Sequence, residues 1–224
     1  NINKKGNFLE RLIFDEILST FLINSKIRKT VKKFKKEKKI FDDNFSNNIK
    51  KNLNYELTND QTHALSEINN DLKSEEKMFR LLQGDVGSGK TIVALISCLN
   101  VVNSGYQVAF MAPTEILAYQ HYKLAQSLIK DKMKIGFLTS KTDYSERKKI
   151  INDLETSKLD ILFGTHSVFQ EKINYKKLGL VVIDEQHKFG VKQRKKLSDK
   201  GGKNCDVLVT VSYTHLTLPT THDV

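Results

Sequence analysis

The sequence predicts an α/β fold in which a parallel sheet is flanked by helices and is preceded by a basic N-terminal helical segment. Two observations support this prediction. After residue 54, short apolar runs alternate with amphipathic stretches, which is the βαβ pattern of a parallel sheet covered on both faces. Most of the net charge of +11 lies ahead of that point, because residues 1–51 contain 14 Lys or Arg and 6 Asp or Glu.

The composition is that of a folded chain without a membrane segment. Of the 224 residues, 39% are hydrophobic and 28% are charged, unlike the low-hydrophobicity signature of disorder. No apolar run approaches the ~18–20 residues of a membrane-spanning helix, and acidic residues interrupt the first apolar stretch, unlike in a secretory signal. Cys98 and Cys205 match no disulfide or zinc spacing. We therefore expect a cytoplasmic protein with reduced cysteines and no membrane partner.

The N-terminal segment, residues 1–54, is predicted to be basic and helical. Apolar residues recur at three-to-four spacing between residues 7 and 39, as in an amphipathic helix. Residues 26–39 have nine basic side chains and one acid, Glu37. This charge favours contact with nucleic-acid phosphates, and a solvated helix face is the alternative. The polar residues 42–54 follow as a predicted linker, which sets a domain boundary near residue 54.

Six apolar runs after residue 54 are predicted to be buried strands, with helical stretches between most of them. They are residues 81–82, 108–111, 135–138, 161–163, 180–183 and 207–209. Parallel sheets of this kind bind their ligands beyond the carboxyl ends of the strands. Residues with binding or catalytic chemistry are therefore expected directly after these runs.

A glycine-rich loop follows the first predicted strand. Residues 84–91 read GDVGSGKT, the G-x-x-x-x-G-K-T pattern of a phosphate-binding loop. Glycine lets backbone N–H groups face the phosphates, the Lys90 ammonium reaches the terminal phosphates, and the Thr91 hydroxyl is a ligand for Mg²⁺. A glycine-rich structural turn is the alternative. The predicted ATP-binding residues here are Gly84, Asp85, Val86, Gly87, Ser88, Gly89, Lys90 and Thr91.

A second, acidic motif supports the binding of ATP with Mg²⁺. Residues 180–187 read LVVIDEQH, so that two acids end an apolar strand. In such a motif one carboxylate, Asp184, binds Mg²⁺ together with Thr91, and the next, Glu185, activates water. A solvated turn is the alternative. Gln186 and His187 favour hydrolysis coupled to mechanical work. The predicted catalytic residues are Lys90, Asp184, Glu185, Gln186 and His187.

Four segments, in order, resemble motifs I, Ia, Ib and II of superfamily-two DNA helicases. They are LLQGDVGSGKT at 81–91, MAPTEILAYQH at 111–121, GTHSVFQE at 164–171 and VVIDEQHKFGVKQR at 181–194. The SGKT loop with a DEQH box is most similar to the RecG branch, whereas the related transcription-repair coupling factor usually has FGKT and DEEH. The resemblance implies a RecA-like P-loop NTPase domain over residues 55–210.

The same resemblance implies roles for residues outside the nucleotide motifs. Gln61 would recognise adenine. Phe189 would couple DNA contact to hydrolysis, with a core phenylalanine as the alternative, and Lys188 stands where the family usually has arginine. The residues implied to grip single-stranded DNA are Pro113, Thr114, Glu115, Gly164, Thr165 and His166.

As a whole, the resemblance implies an ATP-dependent DNA helicase that remodels forks and Holliday junctions in recombination and repair. Residues 7–39 resemble the basic segment that links the DNA-reading wedge domain to the motor, whereas the wedge and the second motor domain have no counterpart in the sequence. We therefore expect an incomplete chain that is inactive alone. The alternatives are a non-motor module that binds nucleotide and nucleic acid, and a P-loop kinase or transporter ATPase.

The C-terminal residues depart from the family pattern. After NCDVLVT at 204–210 the family continues with Ala-Thr-Pro, whereas this chain reads VSYTHLTLPTTHDV. The last 14 residues contain no Lys, Arg, Asn or Ile, although these types are abundant elsewhere. We expect residues 211–224 to be a foreign tail, with a native β-hairpin as the alternative.

Overall fold

The computed structural model describes residues 35–42, 53–129, 133–170, 172–184 and 204–213, and single positions at 11, 14, 15, 18, 19, 22, 25, 47, 49, 51 and 202. The described positions between 11 and 25 have helical backbone, in line with a helical N-terminal segment. Residues 35–42 are not helical, and Lys35 instead forms an isolated antiparallel bridge with Glu76. The prediction of a helix that continues to residue 39 is therefore wrong over residues 35–39.

Helices and strands alternate along most of the described chain. In order they are α1 (Asn59–Lys73), β1 (Phe79–Asp85), α2 (Lys90–Asn103), β2 (Gln107–Met111), α3 (Glu115–Ile129), β3 (Ile135–Leu138), α4 (Tyr144–Glu155), β4 (Ile161–Gly164), a short 3₁₀ helix (His166–Phe169), β5 (Leu178–Ile183) and β6 (Asp206–Tyr213). Each predicted apolar run lies within one of these strands, so the prediction of six strands is confirmed.

The six strands form one parallel sheet in the order β1-β6-β5-β2-β4-β3. Strand β6 therefore lies between β1 and β5. Its pairing with β1 runs from Phe79 opposite Val207 to Asp85 opposite Tyr213. Residues 211–213, the start of the expected foreign tail, thus continue an interior strand of the sheet. Residues 214–224, the rest of that tail, lie outside the described residues.

Apolar side chains cover both faces of the sheet, because successive residues of a strand point to opposite sides. In β2, Val108 and Phe110 belong to a core shared with α1, α2 and α3, whereas Ala109 and Met111 belong to a second core shared with α4. Helix α2 is buried from residue 92 to residue 101, as expected of a helix that is apolar all round. Because both faces of the sheet are packed, the carboxyl ends of the strands have fixed positions relative to one another.

Residues 35–42, here called the strap, pack against this sheet domain. The backbone N–H groups of Lys36 and Lys39 donate to Glu75 O at 2.9 Å and to Leu72 O at 3.2 Å. The side chain of Phe41 enters the first core. The strap is therefore attached to the domain by backbone hydrogen bonds and by apolar contact.

Two basic side chains of the strap are buried. The ammonium groups of Lys36 and Lys39 lie 2.7 and 2.6 Å from Asp206 Oδ2, and none of the three side chains has exposed surface. Burial lowers the pKa of Lys36, although the charge of Asp206 acts in the opposite direction. Neither a phosphate contact nor a solvated helix face describes these two lysines, so both interpretations are wrong for them.

The two cysteines are buried free thiols, as predicted. Burial raises the pKa of both, that of Cys205 to about 12. In the part of the chain that the structure describes, no helix has the length and apolar character needed to cross a membrane.

Candidate nucleotide-binding site

The phosphate-binding loop connects the end of β1 at Asp85 to the start of α2 at Lys90. Gly87 and Gly89 have φ of 82° and 78°, in the left-handed region that a β-carbon disfavours. Gly89 is the N-cap residue of α2, and its position leaves the first N–H groups of the helix without a side-chain cap. Val86 is exposed at the loop tip. Such a helix N-terminus favours a bound phosphate.

The Lys90 ammonium lies against this loop. It donates to Gly84 O at 2.9 Å and to Asp85 O at 2.7 Å, and it lies 3.4 Å from Ser88 Oγ. A β-carbon on Gly84 would come within 2.7 Å of Ser88 Oγ, so the close packing of the loop favours glycine there. Thr91 follows Lys90 and is partly exposed. A positive charge and a hydroxyl thus lie together at the helix start.

Gln61 connects the start of α1 to the phosphate loop. Its side-chain oxygen accepts from Thr58 N–H at 3.0 Å, and its own N–H donates to Thr58 Oγ1 at 3.3 Å, which forms a capping box. Its amide nitrogen donates to Ser88 O at 2.9 Å. A nearby recess is lined by Tyr55, Glu56, Leu57 and Thr62. Recognition of adenine by Gln61 stays a prediction.

Asp184 follows β5 directly and is buried. Its Oδ2 lies 2.7 Å from His121 Nε2, its Oδ1 accepts from Thr210 Oγ1, and its backbone N–H donates to Met111 O at 2.9 Å. Burial acts to raise the pKa of Asp184. The hydrogen bonds from His121 and Thr210, with nearby positive charge that includes Lys90, outweigh burial and hold that pKa below its usual value. Asp184 is therefore ionised at neutral pH.

These residues fit a Mg²⁺ ion that is shared with a nucleotide. Mg²⁺ prefers oxygen ligands, and it is usually held by one or two protein groups, with phosphates and water completing its shell. Asp184 supplies an ionised carboxylate, and Thr91 supplies a hydroxyl. Across the described ranges, no group of three or more His, Cys, Asp or Glu could hold a metal ion.

The two segments predicted to grip DNA follow neighbouring strands. Residues 113–115 come after β2 and residues 164–166 end and follow β4, and Ala112 N–H donates to Gly164 O at 3.0 Å. A β-carbon on Gly164 would clash with the Leu138 carbonyl oxygen. Only glycine therefore fits where the end of β4 approaches the end of β3. The structure brings both predicted segments to the carboxyl edge of the sheet, the same edge at which the phosphate loop follows β1.

The loop after β3 also lies at the carboxyl edge of the sheet. The sequence prediction did not include this loop. The Glu115 carboxylate accepts from Ser140 Oγ at 3.1 Å and lies 3.4 Å from Lys141 Nζ. The hydrogen bond from Ser140, with the charge of Lys141, lowers the pKa of Glu115. Thr114 Oγ1 accepts from Leu117 N–H at 3.2 Å and so caps α3. Thr114 and Glu115 thus both have structural contacts at the start of that helix.

The sequence prediction also omits both side chains that contact Asp184. His121 ends the motif at 111–121, and its seven-residue spacing from Thr114, two helical turns, is the signal that could have selected it. Thr210 ends the segment NCDVLVT, and the sequence prediction gave it no role. The predicted site residues that lie outside the described residues are Glu185, Gln186, His187 and Phe189.

The fold and the site together define the class of protein. An all-parallel sheet, a phosphate loop between β1 and α2, and an ionised acid after β5 characterise P-loop nucleotide-binding domains. A family model described as DEAD/DEAH box helicase matches residues 58–216. The chain belongs to the DEAD/DEAH box helicase family, which implies nucleotide binding. The kinase and transporter alternatives are therefore wrong.

Within this family, the chain is similar to RecG helicases. It is 45% identical over 201 residues to the ATP-dependent DNA helicase RecG of Thermotoga maritima, and 45% identical over 206 residues to that of Aquifex aeolicus. The matches cover 89% and 90% of this chain and 26% of each relative. The chain thus spans about a quarter of the length of these relatives.

Solved structures agree with this family. A structure described as RecG bound to a three-way DNA junction matches 92% of this chain and 27% of that chain, with a TM-score of 0.75 and 40% identity. A DEAD box protein from Methanococcus jannaschii matches 78% of this chain and 48% of its own, with a TM-score of 0.59 and 22% identity, which supports the fold alone. The predicted RecA-like fold and the resemblance to the RecG branch are confirmed.

Proposed function

We propose that this chain is the ATP-binding motor domain of a RecG-type helicase, which uses ATP hydrolysis to remodel forks and Holliday junctions in recombination and repair. One observation carries the proposal: the phosphate loop, Asp184 and both predicted DNA segments lie at one edge of one sheet. A rearrangement at Asp184 would reach residues 113–115, because the Asp184 backbone N–H donates to Met111 O at the end of β2.

The nucleotide would bind with its phosphates against residues 84–91. A Mg²⁺ ion at this site would supply the positive charge that offsets the negative charge developing during phosphoryl transfer. Lys90 would contact the terminal phosphates, while Asp184 and Thr91 would hold the metal. Glu185 would orient the attacking water, with Gln186 and His187 in the same motif. Gln61 would recognise adenine, since an amide can both donate and accept.

Single-stranded DNA would lie across residues 113–115 and 164–166, whose N–H and hydroxyl groups suit sequence-independent contacts to phosphates. Lys141 adds an exposed positive charge in the loop after β3. Arg147 is held at the same edge, donating to Thr139 O at 2.8 Å and to Gln170 Oε1 at 2.9 Å. Phe189 would couple this contact to hydrolysis.

The predicted division of the chain is part of the proposal. Residues 1–54 would be a basic linker, residues 55–210 the ATP-binding domain, and residues 211–224 a tail of foreign origin. The burial of Phe41 and Ile49 in the first core supports a linker that is docked on the domain. The cytoplasmic location stays a prediction.

A binding titration tests the nucleotide site. The 224-residue chain is titrated with a fluorescent ATP analogue, in Mg²⁺ and in EDTA. We expect Mg²⁺-dependent binding and a loss of about tenfold or more for Lys90→Ala, because a charge-assisted hydrogen bond contributes ~1.5–3 kcal/mol. Lys158→Ala is the matched control, since Lys158 is exposed just before β4, at the opposite edge of the sheet. Equal affinity of Lys90→Ala and the wild type would reject the site.

Fluorescence anisotropy tests the DNA-facing edge. A three-way junction and a linear duplex of equal length are compared at several salt concentrations, because phosphate contacts weaken as salt rises. We expect both DNAs to bind more weakly as salt rises and to bind more weakly to Lys141→Ala and Arg147→Ala, with Lys158→Ala unchanged. DNA affinity that does not change with salt concentration or with either substitution would contradict DNA contact at this edge.

A further inference from the structure

The His121 ring is held tightly beside Asp184. His121 is 7% exposed, and its Nε2 lies 2.7 Å from Asp184 Oδ2. The ring packs against Phe110 with centroids 5.0 Å apart, and Phe110 stacks on Phe163 at 5.2 Å. Burial and the contact with Phe110 keep the ring beside the carboxylate. Its contact with Asp184 is therefore a fixed part of the site.

The carboxylate of Asp184 receives one side-chain donor on each oxygen. Thr210 on β6 donates to Oδ1, and His121 on α3 contacts Oδ2. Each carboxylate oxygen has two lone-pair sites, so these contacts leave capacity for a metal. Two contacts from different elements fix the rotation of the carboxylate. This matters for Mg²⁺, which demands near-ideal octahedral geometry.

Helix α3 joins this contact to the predicted DNA segment. The helix begins at Glu115, and His121 lies six residues later, about 9 Å along the axis. Ala118 N–H donates to Thr114 O at 3.0 Å, so residues 113–115 are continuous with the helix. A shift of this segment would therefore move the His121 ring against Asp184.

Resting on the proposed function, we propose that His121 is a positioning residue: it holds the Asp184 carboxylate in the orientation that binds Mg²⁺, and it does so from the helix that begins at the DNA-gripping segment. Residues that orient a metal ligand in this way typically change metal affinity by about 10–100-fold when they are replaced. His121 touches neither nucleotide nor metal in this role.

Two substitutions separate positioning from packing. His121→Gln keeps an N–H donor at similar reach, whereas His121→Leu keeps similar volume without a donor. The readout is the Mg²⁺ concentration for half-maximal binding of a fluorescent ADP analogue, with affinity in EDTA and the thermal unfolding midpoint measured alongside. We expect His121→Leu to raise that concentration about tenfold or more, and His121→Gln to stay within about threefold of the wild type. Affinity in EDTA should not change.

His63→Leu is the matched control, because His63 is exposed on α1. If His121→Leu does not fold, His121→Met replaces it as a more adaptable apolar side chain. Equal Mg²⁺ dependence in the Gln and Leu variants, or a common loss of affinity in EDTA, would overturn the positioning role while leaving the proposed function intact. If the nucleotide affinity of the wild type did not depend on Mg²⁺, the proposed function itself would be rejected.

Discussion

The Asp206 carboxylate should be among the most important single groups for the stability of this chain. Its Oδ2 accepts from the ammonium groups of Lys36 at 2.7 Å and Lys39 at 2.6 Å, with all three side chains fully buried. Asp206→Asn preserves the size of the side chain and removes the charge. The substitution therefore leaves two buried ammonium groups without their counter-ion.

The other contacts of this cluster cannot replace that charge. Lys36 donates to the backbone carbonyls of Asp71 and Leu72, and Asp206 Oδ1 accepts from Met78 N–H at 2.7 Å. Lys39 donates to the backbone carbonyl of Asn204 and lies over the uncharged Tyr106 ring. Breaking a buried ion pair by removing one partner costs about 3–5 kcal/mol. A chain of this size loses about 2–4 °C in Tm for each kcal/mol, so Asp206→Asn should lower Tm by about 6–20 °C.

Urea unfolding followed by circular dichroism measures this cost. Lys38→Met is the control, because the pair between Lys38 and Glu75 is more than half exposed and should contribute at most about 1 kcal/mol. Lys36→Met should cost less in the Asp206→Asn background than alone, since the two groups interact directly. A cost below about 1 kcal/mol for Asp206→Asn, or additive effects with Lys36→Met, would refute the reasoning.

Three further predictions follow. Gly164→Ala should destabilise the chain by about 1–3 kcal/mol in urea unfolding, because its β-carbon meets the Leu138 carbonyl. Thr210→Val should raise the Mg²⁺ concentration for half-maximal nucleotide binding about tenfold, because the Asp184 carboxylate, which we propose binds the metal, loses a hydrogen bond. Above about pH 8.5, Cys98 and Cys205 ionise in the unfolded chain, whereas burial keeps them protonated in the folded chain. The free energy of unfolding should therefore fall by up to about 1.4 kcal/mol per pH unit for each of the two cysteines.

Each of these predictions has an outcome that contradicts it. A Gly164→Ala variant as stable as the wild type would mean that the strand ends can separate without cost. An unchanged Mg²⁺ titration for Thr210→Val would show that this hydroxyl does not orient the carboxylate. The pH prediction is checked by comparing unfolding at pH 8 and pH 10 with the Cys98→Ala, Cys205→Ala double variant, and equal slopes would disprove it.

The features that the sequence predicts well are those encoded locally. Six apolar runs and a glycine-rich loop each depend on residues close together in the chain, and all six runs became strands. The position of Asp184 directly after a buried strand was likewise predictable, because the apolar run before it is visible in the sequence. The left-handed φ of Gly87 and Gly89 agrees with the reason for glycine at those positions.

The features that the sequence does not predict depend on residues far apart in the chain. Lys36 and Asp206 are 170 positions apart, and nothing near Lys36 distinguishes it from its solvent-exposed neighbours. His121 and Asp184 are 63 positions apart, and only folding brings them together. The three-to-four spacing of apolar residues wrongly predicted a helix over residues 35–39. Tertiary hydrogen bonds to Glu75 and Leu72 outweigh local helix propensity there.

The position of β6 between β1 and β5 determines when β1 can pair during translation. Among the described strands β1 pairs with β6 alone, and Phe79 lies opposite Val207. At about 5–20 residues per second, β1 is made roughly 6–25 s before its partner strand. Until then the strand that leads into the phosphate loop has open edges, which are prone to wrong pairing. The sheet beside the phosphate loop is therefore complete only after β6 has been synthesised.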